Sequence, residues 1–495
     1  MAVRMSSALR TSSRLLQPGT GGALRPTHLR TSSPLLQRHL ATTPLEALLP
    51  THVRNLLATT APPEQVFANR DLRMSDVKVI GFDYDYTLAS YTNELNSFIY
   101  DRAKEHLMER SHYPAITTSY DPSFAIRGLL FDRRTGYLVK LSYARAVAQD
   151  AAFLGRRRLS PEELQRAYGP ALHCDPQRVS EDMSQFNDLF ALSEVCLLAD
   201  VVQLALDNGI AFDASALAED VAKAISHVHI SGALHDAVAA DPATYLHPIK
   251  DFGALLSSLR AAGKELFVLT NSPIPMLETG MTYLLGEAWQ QYFDVVVASA
   301  RKPKFWRRDQ PFRAVHSGGF TKWSRASPRD LELNRVLLGG SLAELSRLTG
   351  WGSEVLYVGD HVHADLREPR RQGWATAAIV REIEHELDVI SSTEYQNLHD
   401  RSVEADSLLT RVQALGDAPA LDALEAEREA IRVRMRRLHN ENFGSVFRHR
   451  ADATAYAFAL KQHADIYTSR LEHLLSCADS TRFYPTRCKL LPHDP

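Results

Sequence analysis

Five apolar runs along the chain predict strands that are buried on both faces of a sheet. Each run is short, is rich in β-branched or other apolar side chains, and contains few polar ones. In chain order they cover residues 77–82, 266–272, 293–298, 355–360 and 373–380. Near-continuous apolar strands of this kind are typical of parallel sheets, because helices cover both faces. The pattern therefore predicts a three-layer α/β core with a parallel sheet.

Carboxylates stand where two of these runs end. Asp83 and Asp85 follow the first run, and Asp360 closes the fourth. Open α/β sheets bind their ligands at the carboxyl ends of their strands. Alternate residues of an extended chain point to opposite faces, so the backbone must turn after Asp83 if both aspartates are to meet one substrate. One carboxylate as nucleophile and a second as acid and base are what a phosphoaspartyl reaction needs, although this pair alone could equally cap a turn.

Further polar residues favour the catalytic interpretation. Thr270 and Asn271 close the second run, Lys302 follows the third, and Asp365 lies just beyond Asp360. These residues also have structural alternatives. Thr270 and Asn271 could simply start a turn, and Lys302 could be a solvated loop residue. Asp365 could cap the helix that follows it. The order of the whole set nevertheless matches what phosphoryl transfer requires.

This ordered set resembles the haloacid dehalogenase superfamily of phosphatases over roughly residues 77–380. Within it, the chain is similar to the cytosolic purine 5′-nucleotidase group and, more closely, to the mitochondrial 5′-nucleotidase domain-containing proteins. The resemblance is carried by residues 82–88, 269–272, 300–303 and 357–361, and its closer form by residues 121–129 and 371–374. It implies a Rossmann-like parallel sheet with an inserted, mainly helical cap and a helical C-terminal extension.

The resemblance also implies a role for each site residue. Asp83 would attack phosphorus and become the aspartyl-phosphate, while Asp85 would protonate the leaving alkoxide and later deprotonate the attacking water. Mg²⁺ would be held by the Asp83 carboxylate, the Asp85 backbone carbonyl and Asp360. Asp365 would lie behind these ligands or replace one of them, and Lys302 would neutralise the phosphoryl group. A required acid at Asp85 favours a phosphohydrolase or phosphotransferase over a dehalogenase, in which no alkoxide leaves.

The resemblance assigns the substrate contacts to the second motif and to the cap. Thr270 and Asn271 would hydrogen-bond the phosphate. The core would comprise residues 43–100 and 246–385, and the cap residues 101–245, which shield the site from water and select the substrate. In the cap, Phe190 would stack on a nucleobase, unless it belongs to the apolar core, and His229 would contact the base.

Two cap positions depart from the purine-specific pattern. Ala222 stands where those enzymes have an arginine, and Ser226 where they have an aspartate. A site built to hydrogen-bond a base loses affinity when its partners are missing. The phosphate half of the site therefore looks intact, whereas the purine half does not.

Composition excludes several other classes of protein. The 56 Lys and Arg residues nearly balance the 59 Asp and Glu residues, and no basic stripe with interleaved aromatics indicates nucleic-acid binding. No apolar run is long enough to span a bilayer. The four cysteines form no close pair, so neither a disulfide framework nor a zinc site is indicated.

The two ends of the chain differ from the core. Residues 1–42 contain six arginines, many Ser, Thr and Leu, and no acidic residue, which predicts a mitochondrial transit peptide and a matrix location; a disordered basic tail and a plastid signal are the alternatives. Residues 386–495 predict a helical extension. Part of it carries apolar residues at alternating three- and four-residue steps, interrupted by Arg428: Leu421, Leu424, Ile431, Met435 and Leu438. This apolar series suits an intramolecular helical hairpin or, alternatively, the seam of a homo-oligomer.

Two functional hypotheses follow. The first is a Mg²⁺-dependent phosphomonoesterase, a 5′-nucleotidase that hydrolyses a nucleoside 5′-monophosphate through an aspartyl-phosphate. Its substrate could also be a non-purine small phosphate, given the altered cap. The second is a family member of low activity that binds or scaffolds partners in the mitochondrion. The complete set of catalytic residues favours the first hypothesis.

Overall fold

A nine-stranded sheet forms the centre of the fold. The computed structural model describes residues 65–315 and 321–486, so the predicted transit peptide lies outside the described residues and stays a prediction. In chain order, the strands of this sheet are β1 (Val66–Ala68), β2 (Val79–Phe82), β3 (Glu265–Leu269), β4 (Val295–Ala298), β5 (Phe312–Ala314), β6 (Leu337–Gly339), β7 (Val355–Gly359), β8 (Ala375–Ile379) and β9 (Ile466–Thr468).

The order of strands across the sheet is β1-β9-β8-β7-β2-β3-β4-β6-β5. The seven inner strands are parallel, and an antiparallel strand closes each edge. The five apolar runs of the sequence are β2, β3, β4, β7 and β8, which confirms the predicted parallel α/β core. Because β2 lies between β3 and β7, the motifs that follow these three strands meet at one edge of the sheet.

Alternate residues of the central strands pack on opposite faces of the sheet. On one face, Val79, Phe267 and Tyr357 belong to one hydrophobic cluster. On the other face, Ile80 and Val268 belong to a second, larger cluster. This alternation produces the three layers.

Helices form the outer layers, the cap and the extension. They are α1 (Asn93–Arg110), α2 (Pro161–Tyr168), α3 (Pro176–Glu181), α4 (Ala191–Asp207), α5 (Ala214–Ile230), α6 (Ala233–Ala240), α7 (Pro242–Tyr245), α8 (Phe252–Ala261), α9 (Ile274–Leu285), α10 (Pro328–Glu332), α11 (Leu342–Thr349), α12 (Glu368–Arg371), α13 (Glu382–Ser391), α14 (Thr393–Gln413), α15 (Ala418–His439), α16 (Ala455–His463) and α17 (Leu471–Leu475). A π-helical turn, Val362–Arg367, precedes α12.

The cap combines a helical layer with a second sheet. Helices α1, α4 and α5 pack against one another and supply the predicted helical part. The sheet is antiparallel and was not anticipated; across it, the strands are Arg157–Arg158, Val147–Leu154, Tyr137–Leu141, Leu129–Asp132 and Met183–Phe186. One hydrophobic cluster joins the inner faces of α4 and α5 to strands β2, β3 and β7, so the cap is packed continuously onto the core.

The C-terminal region contributes to both a helical hairpin and the central sheet. Helices α14 and α15 pack on each other along their length, as the intramolecular alternative predicts. Ion pairs between Arg434 and Glu394 and between Arg401 and Glu427 join them. Strand β9 then adds to the core sheet between β1 and β8. Whether the hairpin also joins two subunits stays a prediction.

Two further predictions concern membrane-spanning segments and the cysteines. Over the part of the chain that the structure describes, no helix is both long and apolar enough to cross a membrane. Cys174, Cys196 and Cys477 are free thiols, and the first two are buried.

Candidate active site

The backbone turns directly after Asp83, as two convergent carboxylates require. Strand β2 ends at Phe82, and the Asp83 amide still donates to the Val358 carbonyl of β7 at 2.9 Å. A turn follows, in which the amides of Thr87 and Ala89 donate to the Tyr84 carbonyl. Asp83 is left at the carboxyl end of the central strand, with its side chain almost completely buried.

Lys302 lies between two of the predicted acidic residues. Its Nζ is 2.8 Å from Asp83 Oδ1 and 2.6 Å from Asp365 Oδ1, and it also donates to the Tyr357 hydroxyl at 3.1 Å. Only 7% of Lys302 is exposed, so the solvated-loop alternative does not describe it. Burial alone would lower the pKa of Lys302, but the charges of Asp365 and Asp83 raise this pKa well above its usual value, which keeps the side chain cationic.

Asp83, Asp360 and Asp365 form a buried carboxylate cluster. One oxygen from each lies within 4.8 Å of the others. Asp365 does not cap a helix: it lies inside the π-helical turn, accepts from Lys302 and accepts from the His361 amide at 3.3 Å. Burial, and then the charge of Asp365, raise the pKa of Asp83 to about 7.

This cluster fits a divalent cation. Burial raises the pKa of Asp360 well above its usual value, and Asp360 Oδ2 has no hydrogen-bond partner among the described residues. Three carboxylates around a single lysine leave excess negative charge in a site of low dielectric, which a cation would neutralise. Hard oxygen donors are the ligands that Mg²⁺ and similar ions prefer.

Asp85 is held separately from this cluster. Tyr91 donates its hydroxyl to Asp85 Oδ1 at 2.7 Å, and Ser272 donates to Oδ2 at 2.5 Å. Burial, and then the charge of Asp83, raise the pKa of Asp85 to about 6, while the two hydroxyl donors act in the opposite direction. Two carboxylates whose environments differ in this way can take different chemical roles. Neither Tyr91 nor Ser272 was predicted from the sequence.

A fully buried arginine, also missed from the sequence, supports the carboxylate cluster. The Arg127 guanidinium lies 3.5 Å from Asp360 Oδ2 and donates to both oxygens of Glu382, at 2.8 and 2.5 Å. It also stacks over the Tyr456 ring, 4.9 Å from its centroid. Arg127 precedes the first strand of the cap sheet, so one side chain joins the cap, the core and the C-terminal region. The sequence held two signals: a lone arginine within the apolar residues 124–131, and the place of that arginine in the stretch 121–129 that carries the closer family resemblance.

The structure places Thr270 and Asn271 beside the site, in local contacts. Thr270 is completely buried, and its hydroxyl accepts from the Ser272 amide at 2.9 Å. The Asn271 side chain bonds both backbone groups of Lys302: its Oδ1 accepts from the amide at 2.6 Å and its Nδ2 donates to the carbonyl at 3.1 Å. Asn271 therefore fixes the loop that carries Lys302. Phosphate contacts by these two residues stay a prediction.

One cavity of about 790 Å³ connects these groups to the cap. The residues that line its core end include Asp83, Asp85, Asn271, Ser272, Lys302, Asp360 and Asp365. At its cap end, Phe190 is half-buried and packs edge-on against the rings of Tyr86, 4.8 Å away, and His229, 5.4 Å away. Phe190 is therefore neither a fully buried core residue nor a free platform, and its predicted stacking role stays open. Burial lowers the pKa of His229.

The cap end also carries two carboxylates that were not predicted. Asp188 and Glu194 line the cavity, and burial followed by the charge of Asp188 raises the pKa of Glu194 to about 7. Glu194 makes no hydrogen bond or ion pair within the described residues. Ala222 and Ser226, at the positions that depart from the purine-specific pattern, are exposed and do not line this cavity.

Comparisons with known proteins show which family the chain resembles over most of its length. A model of the 5′-nucleotidase family matches residues 66–495. A 5′-nucleotidase domain-containing protein of Dictyostelium discoideum is 36% identical over 453 residues, which cover 88% of this chain and 76% of that protein. Human 5′-nucleotidase domain-containing protein 2 is 36% identical over 460 residues, covering 90% and 87%.

Solved structures give a more distant match. A predicted phosphoglycolate phosphatase from Haemophilus somnus 129pt aligns with 62% of this chain and 86% of its own length, at 13% identity and a TM-score of 0.26.

Proposed function

Because the chain belongs to the 5′-nucleotidase family, we propose that it is a Mg²⁺-dependent phosphomonoesterase that hydrolyses a nucleoside 5′-monophosphate through an aspartyl-phosphate. The family assignment confirms the resemblance to the 5′-nucleotidase family and makes the chain a phosphoric monoester hydrolase, whereas membership of the mitochondrial branch stays a prediction. The metal, the substrate and the covalent intermediate are the parts of this proposal that go beyond the family assignment. The observation that carries them is the position of Lys302 between Asp83 and Asp365, beside Asp360.

In this proposal Asp83 is the nucleophile. Lys302 lies 2.8 Å from one of its oxygens and would attract the anionic phosphoryl group toward the same place. Asp83, Asp360 and the Asp85 carbonyl would hold the ion, which supplies positive charge against the phosphoryl oxygens when bound. The cation and Lys302 together would offset the repulsion between the Asp83 carboxylate and its substrate, which is the principal electrostatic barrier in this reaction.

Asp85 would act as the acid and then as the base. A carboxyl group with a pKa near 6 carries a proton in a useful fraction of molecules near neutral pH. The donors Tyr91 and Ser272 fix its orientation toward the cavity. The proton on Asp85 would pass to the leaving oxygen, and the resulting carboxylate would accept a proton from the water that attacks the phosphorus of the aspartyl-phosphate.

The cap end of the cavity would bind the leaving group. Phe190 and His229 offer aromatic surface, and Asp188 and Glu194 offer hydrogen-bond acceptors. Within the described residues that line this cavity, Lys302 is the one Lys or Arg side chain, and it is engaged at the core end. A leaving group with hydrogen-bond donors, such as an exocyclic amino group, would suit this end best.

The altered cap supports a second candidate function. Ala222 and Ser226 are exposed outside the substrate cavity and do not supply the arginine and aspartate of the purine-specific pattern. A chain with this cap could bind partners with little turnover. We retain a mitochondrial matrix location as part of either proposal, on the composition of residues 1–42.

The direct test is phosphate release from a panel of nucleoside monophosphates and sugar phosphates, with Mg²⁺. The full chain is compared with Asp83→Asn, which keeps the size of the side chain and removes the nucleophile. Release by the wild type that disappears in the variant supports the hydrolase, and the best substrate identifies the leaving group. Equal release by both proteins, or none for any compound, would favour the binding role.

A further inference from the structure

A second, smaller cavity adjoins the catalytic turn. It has a volume of about 240 Å³ and lies between the turn, the start of α13 and the segment after β9. Tyr86 lines both this cavity and the substrate cavity, whereas the adjacent Thr87 lines the smaller one. Its other polar lining residues are Ser90, His247, Arg381, Glu384, Ser469, Arg470 and Glu472. We call it the turn cavity.

Two buried hydroxyl groups in the wall of the turn cavity lack partners. Thr87 is 3% exposed and Tyr86 is 4% exposed. Neither Thr87 Oγ1 nor the Tyr86 hydroxyl has a hydrogen-bond partner among the described residues. Buried hydroxyls are nearly always hydrogen-bonded, so two adjacent exceptions in one turn need a reason. The Thr87 hydroxyl oxygen is covered as placed, and rotation of its side chain into this cavity would let a bound group with several oxygen atoms satisfy it.

The charges around the turn cavity are unevenly paired. Arg470 is bonded to both oxygens of Glu384, and Glu472 lies nearby, so its charge is compensated. Arg381 instead donates to the Tyr91 carbonyl at 2.7 Å and has no carboxylate within ion-pair distance in the described ranges. Burial, followed by the charges of Arg381 and Arg470, lowers the pKa of the neighbouring His247, which therefore adds no charge of its own.

We propose that the turn cavity binds a tetrahedral oxyanion of the phosphate type between the Arg381 guanidinium and the hydroxyls of Thr87 and Ser90. Arginine presents several donors in a planar fork that matches such an anion. The volume admits a phosphate group together with a few attached atoms. The ligand is therefore either free inorganic phosphate or the phosphate of a small organic molecule, and Glu472 offers an acceptor to hydroxyl groups of the latter.

This second site connects to the catalytic centre through two short links. Tyr86 and Thr87 belong to the turn that carries Asp83 and Asp85. Arg381 bonds the Tyr91 carbonyl, and the Tyr91 hydroxyl bonds Asp85 at 2.7 Å. An anion at Arg381 would therefore act on the residue that orients Asp85. This consequence for catalysis rests on the proposed function, whereas the binding itself does not.

The test is calorimetric titration of the metal-free full chain with inorganic phosphate and, separately, with glycerol 3-phosphate. The Lys302→Met background removes the cation of the catalytic site, so that binding there is suppressed. We expect one site for at least one of the two probes. Adding Arg381→Gln should weaken it at least tenfold, and Thr87→Val several-fold, while the exposed control Arg110→Gln should leave it unchanged. The tighter probe identifies the source of the phosphate group.

Two results would overturn the proposal: a folded Lys302→Met protein that binds neither probe, or binding that neither Arg381→Gln nor Thr87→Val weakens. Circular dichroism checks that each variant is folded. If Arg381→Gln does not fold, the effect of Thr87→Val on phosphate binding is the test. If Lys302→Met does not fold, the wild type is titrated instead, and two bound phosphates should fall to one on Arg381→Gln. Because no turnover is measured, a chain that hydrolyses nothing could still bind the anion here.

Discussion

The two ends of the substrate cavity are built in different ways. At the core end, the charged groups are held by specific neighbours: Lys302 bonds Asp83 and Asp365, Asn271 holds Lys302, and Arg127 lies 3.5 Å from Asp360 Oδ2. At the cap end, Glu194 has no partner in the described part of the chain, and Asp188 accepts a single bond from the Ala191 amide. The core end is preorganised for one kind of chemistry, whereas the cap end leaves its acceptors free for a ligand.

The core end is the part of the cavity that could be predicted from the sequence. The residues of the core end follow long apolar strands, and parallel strands bring their carboxyl ends to one edge of the sheet. Asp83, Thr270 and Asp360 could therefore be grouped from their positions alone. The parallel core itself was predictable for the same reason, because each central strand is apolar on both faces.

The partners of these residues were not predictable. Arg127 and Glu382 come together from segments 255 positions apart, and no local pattern records that contact. Likewise, no local pattern predicts that Tyr91 and Ser272 donate to Asp85. The antiparallel cap sheet was missed although Leu129–Asp132 and Tyr137–Leu141 are largely apolar and the sequence Asp132-Arg133-Arg134-Thr135-Gly136 is a turn signal between them.

The largest effect should come from removing the cation of the core end. Lys302→Met leaves Asp83 and Asp365 without their shared partner, and kcat should fall about 10³-fold, the upper part of the range for losing one preorganised charge. The control is Lys304→Met, two residues away and exposed, which should keep full activity. Steady-state kinetics on the best substrate of the panel measures both. Equal activity of the two variants would mean that the core end is not the catalytic end.

A smaller effect should come from Arg127, which acts on Asp360 without touching the substrate cavity. Arg127→Met should weaken Mg²⁺ binding by about 10–100-fold, the usual effect of losing a group that orients a ligand. Titration calorimetry of the full chain with Mg²⁺ measures this. Arg166→Met, an exposed arginine of the cap, is the control. Glu382→Gln provides an independent test if Arg127→Met does not fold, and unchanged Mg²⁺ affinity in both variants would remove the assigned role.

The pH dependence should report the proton on Asp85. The acid must be protonated for the first step, and the pKa of Asp85 is raised to about 6 by burial and by Asp83. For an alkyl phosphate, kcat/KM should therefore fall about tenfold per pH unit well above that value. This fall of kcat/KM at high pH should be weak for p-nitrophenyl phosphate, whose leaving group needs no proton. An equal fall for the two substrates would show that a group other than Asp85 titrates.

The smallest effect should arise at the cap end. Glu194→Gln replaces one acceptor oxygen of the side chain by an amide donor, so kcat/KM should fall several-fold for substrates with an exocyclic amino group and should not fall for those with a carbonyl in its place. The control Glu219→Gln lies on the exposed side of α5. The measurement is the ratio of kcat/KM for cytidine and uridine monophosphates. An unchanged ratio would mean that Glu194 does not contact the base.

The most direct test of the account is mass spectrometry of the chain after acid quenching. Asp85→Asn is incubated with Mg²⁺ and p-nitrophenyl phosphate, which can phosphorylate Asp83 without an acid, while hydrolysis of the intermediate lacks its base. The peptide that contains Asp83 should then gain the mass of one phosphoryl group, and Asp83→Asn should gain none. Release of p-nitrophenol with no phosphoryl group on Asp83, or with the group on another residue, would contradict the assignment of Asp83 as the nucleophile.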